Sequence, residues 1–329
     1  MPRIGLTGDV MLGRLVDERY GQPGVAPAGV WGDLHERLRA LDGLLVNLEC
    51  AVSTRGRKWT RTERPFHFRA TPDWATDALD AAGVDFACLA NNHLLDFEEP
   101  ALLDTLDHLD AVGVAHAGAG ATLTEARAPA LVEVDGLDIA VVAATDNTPE
   151  YAAGPDSAGV VHLDFDPDDE ATRAAVESMV ADARALDPDL VVASVHGGPN
   201  METEPDDTLR AFHRWLAERV DLVHGHSAHV VQGVEAVDGT PVLHDCGDFV
   251  DDYRVDPELH NDRGFLFVAD ADASGVTSLR LEPIEIRDRA VYAAEGAAAE
   301  WVRERMAERS AAFGTTVERD GEALRVPVG

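Results

Sequence analysis

Apolar and polar positions along the 329 residues fall into two regimes. Short unbroken apolar runs end in a polar residue or a glycine, and longer stretches carry apolar residues at helical spacing. Arg3 to Asp9 and Leu44 to Leu48 are runs of the first kind and predict buried strands. Asp73 to Gly83 predicts a helix, and Asp85 to Ala90 the strand after it. Leu102, Leu103, Leu106 and Leu109 recur at helical spacing, which predicts an amphipathic helix over Glu98 to Val112. Leu131 to Val134 and Ile139 to Ala144 flank Asp135-Gly136, a good hairpin turn. A long helix over Pro167 to Leu186 precedes a buried strand at Leu190 to Val195. Leu209, Phe212, Trp215 and Leu216 mark the next helix. Strands are expected at Leu222-Val223, at Val230 to Val237 and at Pro241 to Leu243. A further pair follows at Gly264 to Ala269 and Val276 to Ile286. An Ala-rich helix over Ala293 to Arg309 and a hairpin over Thr315 to Val328, turning at Asp320-Gly321, close the chain.

Strands alternating with helices predict an α/β layered fold, and the later hairpins make its sheets mixed. No internal repeat, low-complexity segment or linker interrupts the pattern. The expectation is a main domain over 1–290, with 291–329 a C-terminal helix and hairpin packed on the same domain.

Composition narrows the function classes. The net charge is −34, and Lys58 is the one lysine among the bases. The acidic residues are spread along the chain, which reads as adaptation of the whole surface to high salt. A chain this acidic excludes duplex nucleic acid as a partner, since phosphate binding needs a basic face. No run is long enough for a membrane span, and the first residues lack the apolar core of a signal peptide, so a cytoplasmic protein is expected. Cys50, Cys88 and Cys246 are odd in number and far apart, so they read as small buried residues rather than a disulfide framework.

The chemistry gathers at the ends of the predicted strands, where open α/β sheets bind ligands. The first strand ends in Gly8-Asp9 and the second in Asn47-Leu48-Glu49. The next ends in Ala90-Asn91-Asn92-His93, with Asp96 close behind. Later ones end in His196-Gly197-Gly198 and in His224-Gly225-His226-Ser227-Ala228-His229. Imidazole is the commonest protein ligand of transition metals, and Gly225 would let the backbone bend so that rings converge. Asp, Glu, Asn and His together suit Mn, Fe or Zn, and the number of donors suits two divalent ions. Taken singly, Asp9 is as readily a helix N-cap, Asn91-Asn92 a turn pair and His196 a loop histidine. Their common position at strand ends favours one distributed metal site.

Gly8-Asp9-Val10-Met11-Leu12-Gly13-Arg14, Asn47-Leu48-Glu49-Cys50, Ala90-Asn91-Asn92-His93-Leu94-Leu95-Asp96 and Gly225-His226-Ser227-Ala228-His229-Val230-Val231-Gln232-Gly233 occur in this order. So do Gly118-Ala119-Gly120 and Cys246-Gly247-Asp248-Phe249. Together they closely resemble the CapA family, named for poly-γ-glutamate capsule synthesis, over about residues 3 to 270. That family resembles a branch of the calcineurin-like metallophosphoesterases, which implies a four-layer α/β/β/α sandwich. The resemblance implies metal-ligand roles for Asp9, Glu49, Asn92, His196, His226 and His229, with Glu49 in the bridging position. It implies that His93 contacts substrate or protonates the leaving group, and that Asp96 orients it. Asn47 and Asn91 stand beside the ligands as substrate-binding candidates. His224 and Asp248 are candidates to brace the ligand histidines from behind. The sequence departs from the superfamily pattern at Met11, where a histidine is usual, at Asn47-Leu48-Glu49, where an Asp is usual, and in the spacing of His226 and His229.

One segment is basic. Arg55, Arg57, Lys58, Arg61, Arg64 and Arg69 crowd together. The plain reading is a loop paired with acidic surface; the functional one is an anion grip over the metals by Lys58 and Arg61, with Arg14 beside them. The expectation is a metal-dependent hydrolase of an anionic small molecule or polymer, phosphoesterase-like, with metal-activated water. Two alternatives stand beside it: a hydrolase or transferase of γ-glutamyl chains, and a non-catalytic accessory protein that holds an acidic polymer.

Overall fold

The computed structural model describes residues 1–328, so Gly329, the end of the predicted C-terminal segment, lies outside the described residues. Two large sheets form the frame. In the ten-stranded sheet, Arg3–Val10, Gly43–Leu48, Phe86–Cys88 and Ala115–Ala117 run parallel. On the other side of Arg3–Val10 the sheet turns antiparallel through Arg263–Asp272, Gly275–Arg287 and Ala323–Pro327. The six-stranded sheet has a parallel centre of Leu137–Thr145, Leu190–His196, Leu222–His226 and Thr240–Leu243. Antiparallel strands, Ala130–Val134 and Val234–Val237, close its two edges.

Three apolar cores separate the layers. Leu6, Leu45, Phe86, Phe265 and Phe267 from the larger sheet meet Val132, Ile139, Val141, Val192 and Leu222 from the smaller one. The other face of the larger sheet packs Leu44, Val46 and Leu266 against Trp31, Leu38, Leu79 and Leu102. The other face of the smaller sheet packs Ala140, Val142, Val191 and Val223 against Val176, Val180, Phe212 and Leu216. The order is helices, sheet, sheet, helices, and the alternation of each strand explains it. In Leu190–His196, Leu190 and Val192 face the sheet partner while Val191, Ala193 and Val195 face the helices. A strand buried on both faces reads as a continuous apolar run, which is why periodicity finds it in the sequence.

The C-terminal helix Gly296–Ala312 sends Val302 and Met306 into the core between the sheets, and Ala323–Pro327 extends the larger sheet. Predicted and observed elements differ most in one strand. The strand expected at Val230 to Val237 shortens to Val234–Val237. Its first half bends into the site instead, where Gln232 N donates to the Asp245 carbonyl and Ala228 N to the Asp245 carboxylate. Several short elements carry too few residues to show a period, among them the helix Arg14–Tyr20 and the strand Asp248–Val250. Among the described residues, no helix is long and apolar enough to cross a membrane. All three cysteines are buried and free.

Candidate metal centre

The strand registers assemble the centre. Asp9 lies opposite Asn47 on one neighbouring strand and opposite Asp248 on the other. His196 lies opposite His226 in the facing sheet. In-register parallel strands present such pairs on one face, and the two sheets bring the pairs edge to edge. Close backbone approach makes this possible. A Cβ on Gly8 would sit 1.8 Å from the Gly247 carbonyl oxygen, so glycine is required where the first strand passes Asp248's loop. Gly225 serves the same end: a Cβ there would lie 2.2 Å from the His244 carbonyl oxygen. It does not bend the chain as expected, because the strand runs unbroken through Leu222–His226. The bend comes later, at Ser227 (φ 123°) and His229 (φ 61°), and it turns His229 back toward Asp9.

Two buried groups of donors result, Asp9 with His196 and His226, and Asp9 with Glu49 and His229. Asp9 belongs to both groups, and Glu49 to the second alone. In the first group the Nδ1 atoms of His196 and His226 lie 2.9 Å apart, and 3.8 and 3.9 Å from Asp9 Oδ1. Asn92 reaches this group through His196, whose Nε2 lies 2.9 Å from the Asn92 amide oxygen. Asn47 donates to Asp9 at 2.7 Å, and Asn91 donates to Asn47 at 3.2 Å and to the Leu48 carbonyl at 2.9 Å. In the second group His229 Nδ1 sits 2.8 Å from Asp248 and 3.4 Å from Asp9. Glu49 accepts from the Tyr253 hydroxyl at 3.0 Å.

His224 faces the same side as His226 but does not line the centre. Its two nitrogens are taken by Ser194, at 3.2 Å, and by the Thr7 carbonyl, at 2.7 Å. Ser194 also lies 3.0 Å from His226 Nε2, so His224 and Ser194 fix that ring from behind. Met11, where a histidine would be usual, is buried, and its sulfur accepts from Gly13 N.

The electrostatics of the cluster show a deficit of positive charge. Burial holds His196 down at about 4, and burial with the neighbouring imidazoles of His224, His196 and His213 holds His226 well below the usual histidine range. Burial and the Asp9 charge push Glu49 well above the usual carboxylate range. Burial alone would lower His229, but Asp248, Glu49 and Asp9 outweigh it and raise it well above its ordinary value. Burial likewise raises Asp245 to about 7 and Asp251 to about 6. One oxygen each of Asp9, Glu49 and Asp248 is buried without a hydrogen-bond partner. Buried carboxylates without partners are costly unless a cation neutralises them. The donor set and the orphaned oxygens therefore fit divalent metal ions.

His93 flanks the second group, its Nε2 3.8 Å from Glu49. Asp96 holds its other nitrogen at 2.6 Å, and is itself held by Phe68 N at 2.7 Å and the Tyr151 hydroxyl at 3.0 Å. The ring stacks on Phe68, with centroids 3.8 Å apart. A cavity of about 300 Å³ opens here, with Arg14, Phe68, His93, His229 and Tyr253 in its wall.

Lys58 and Arg61 are not brought to that wall. Lys58 is exposed, and Arg61 lies over Trp59, 4.0 Å from Glu98. Arg57 and Arg61 both lie within 4.0 Å of Glu98, and exposed pairings of this kind are weak. Other parts of the basic segment do approach, with Phe66 and Phe68 in the cavity wall and Arg64 bonded to the Asn92 carbonyl. Tyr253 and Arg254 carry no signal in the sequence beyond lying just after Asp248.

Residues 3–253 match the family described as bacterial capsule synthesis protein PGA_cap. A Mycobacterium tuberculosis protein named "Probable polyglutamine synthesis accessory protein" is 32% identical over 355 residues, covering 95% of this chain and 92% of its own. The Bacillus subtilis "PGA biosynthesis protein CapA" is 27% identical, covering 74% of this chain and 62% of its own. A solved structure, of a hypothetical protein from Thermus thermophilus, is 17% identical, with a TM-score of 0.44 over 88% of this chain and 96% of its own. The chain belongs to the PGA_cap family of bacterial capsule synthesis proteins, to which its CapA-like motifs also point.

Proposed function

We propose that the chain is a metal-dependent hydrolase serving poly-γ-glutamate capsule synthesis, on a metallophosphoesterase-like sandwich. The observation that carries this reading is the pair of buried donor groups sharing Asp9, set beside a histidine held by a carboxylate. His196 and His226 with Asp9 would hold one divalent ion, and Glu49 and His229 with Asp9 a second. Bound ions would supply Lewis acidity toward the scissile group and toward water. The chain's own residues do the rest. Asp96 accepts the Nδ1 hydrogen of His93 and offsets the charge of its imidazolium form, whose Nε2 hydrogen then faces the cavity and passes to the leaving group. Phe68 and Tyr253 shield that side from water.

The substrate is an anionic polymer or small molecule, with γ-glutamyl and phosphoester linkages as the two candidates. Assays of phosphodiester, phosphomonoester and γ-glutamyl substrates, each with Mn, Zn and chelator, test the reading. Metal-dependent turnover of one class is the expected result; none with any metal sinks it. A second reading, a non-catalytic accessory protein holding acidic polymer, is favoured by Met11, whose sulfur is spent on Gly13 where a histidine ligand is usual.

A further inference from the structure

The cavity beside His93 has a chemistry of its own. Arg14 enters it from a left-handed backbone, φ 53°, a conformation unfavourable for a non-glycine residue. Asp252 holds it there. One carboxylate oxygen accepts from Leu15 N at 2.8 Å, and the other lies 3.2 Å from the Arg14 guanidinium. The Asp252 side chain is 1% exposed, whereas that of Arg14 is 31% exposed. The guanidinium also lies over the rings of Phe66, Phe68 and Tyr253, at 5.3, 5.6 and 5.9 Å. A guanidinium carries five N–H donors, and the Asp252 contact engages one of its nitrogens. The others are open to a ligand. Arg254, exposed, stands in the same wall.

Backbone strain, a buried counter-carboxylate and three aromatic rings thus fix one cation next to the acid–base histidine. On a chain of net charge −34, general electrostatics repel any polyanion, so recognition of one needs local cations. Phe66, Phe68 and Tyr253, with Met201, make much of the remaining wall apolar, which suits methylene groups rather than a bare phosphate, and Asn200 adds an amide.

We infer that this cavity is a carboxylate subsite, in which Arg14, steadied by Asp252, and Arg254 grip the free carboxylate of a glutamyl unit. The methylenes of that unit lie on Phe68 and Tyr253, and its linkage to the next unit faces His93. This rests on the reading of the metal centre as the reactive site. It makes Arg14 a specificity-determining residue, since its planar fork matches a carboxylate in two-point fashion and an ammonium does not.

Calorimetric binding of γ-linked glutamate oligomers, with γ-linked isoglutamine oligomers of equal length, whose α-carboxylates are carboxamides, as the neutral control, tests it on the full chain. Binding needs no turnover, so loss of the hydrolase reading appears as binding without cleavage, distinct from loss of the subsite. The glutamate oligomer is expected to bind about tenfold or more tightly than the isoglutamine oligomer. Arg14→Gly, which suits the left-handed backbone, is expected to lower its affinity about tenfold or more, with metal content retained. Arg14→Lys falls between, and Arg254→Gln gives a smaller loss that serves if Arg14→Gly does not fold. Equal binding of the two oligomers, or wild-type affinity in both Arg14→Lys and Arg254→Gln, overturns the inference. So does inorganic phosphate that displaces the oligomer at lower concentration than glutamate does, which assigns the cavity to phosphate.

Discussion

The hydroxyl of Tyr253 donates to one oxygen of Glu49 at 3.0 Å, while the other oxygen of that carboxylate is buried with no partner. The phenol therefore fixes the rotation of Glu49, whose free oxygen lies 3.8 Å from His93 Nε2. Partners of this kind orient a ligand, and their loss costs about 10–100-fold in metal affinity. Tyr253→Phe should keep the fold, since the ring remains, and weaken metal binding at the second group alone. Titration of the stripped protein with Mn, followed by electron paramagnetic resonance, would read this. Two wild-type affinities in Tyr253→Phe would remove Tyr253 from the account.

Because Asp9 belongs to both donor groups, its removal differs in kind from removal of its neighbours. Asp9→Ala should abolish binding at both positions. His226→Ala and Glu49→Gln should each spare one ion of the two. Elemental analysis of the purified variants gives the stoichiometries directly. Equal losses in all three would mean that the groups do not bind separately.

Much of the frame is legible in the sequence because its strands are buried on both faces. Leu190–His196 shows itself as an apolar run, and Glu98–Val112 as a helical repeat, with no help from tertiary structure. The strand-end donors follow from the same runs, since each polar residue marks where a run stops. What stays hidden depends on contacts between distant segments. Nothing local says that Tyr253 reaches Glu49 across 204 positions, or that His224 is spent on the Thr7 carbonyl. The cations of the basic segment mislead for a related reason. Charge clustering in sequence does not say which side of a loop each side chain takes, and Arg14, not Lys58, faces the cavity.

Away from the centre, Glu235 joins the helix Asp207–Ala217 to the smaller sheet. It accepts from Arg210 at 2.9 Å, pairs with Arg214, and lies 3.0 Å from His244 Nε2. Burial alone would raise its pKa, but the bonds from His244 and Arg210 outweigh burial and hold it at about 2, below the ordinary 4.5. A carboxylate depressed in the folded state adds stability that is complete above its unfolded value and disappears as pH falls through the folded one. The contribution of Glu235 should therefore be full above about pH 4.5 and lost toward pH 2. Glu235→Gln should cost roughly 2–3 kcal/mol near neutrality, and its deficit relative to wild type should shrink below about pH 4.5. Urea unfolding of both proteins across this range measures the gap. A deficit that is constant with pH would show that packing, not charge, sets the effect.

The charge of −34 sets a second condition on stability. Screening length falls from about 10 Å at 0.1 M salt to about 3 Å at 1 M, which weakens repulsion among surface carboxylates. Thermal unfolding midpoints should therefore rise with KCl over this interval, and rise most at high pH, where all carboxylates are ionised. A midpoint that does not move, or falls, would mean that the acidic surface is adequately paired at low salt.

Asp96 offers the cleanest separation of chemistry from metal binding. It lies in neither donor group, yet it holds His93 Nδ1 at 2.6 Å and is anchored by Phe68 N and Tyr151. Asp96→Asn keeps the size of the side chain, but an amide can present its N–H to the ring. The imidazole then tends to carry its hydrogen on Nε2 in the neutral form, and the imidazolium loses its counter-charge. General acid catalysis by a positioned group contributes about 10²–10⁴-fold, so kcat should fall by about that much while KM changes little. Metal content should match wild type. His93→Ala should be equally slow, and the double variant no slower than either, because the two residues act as one unit. Additive losses in the double variant would show that Asp96 acts on the reaction by some route other than His93.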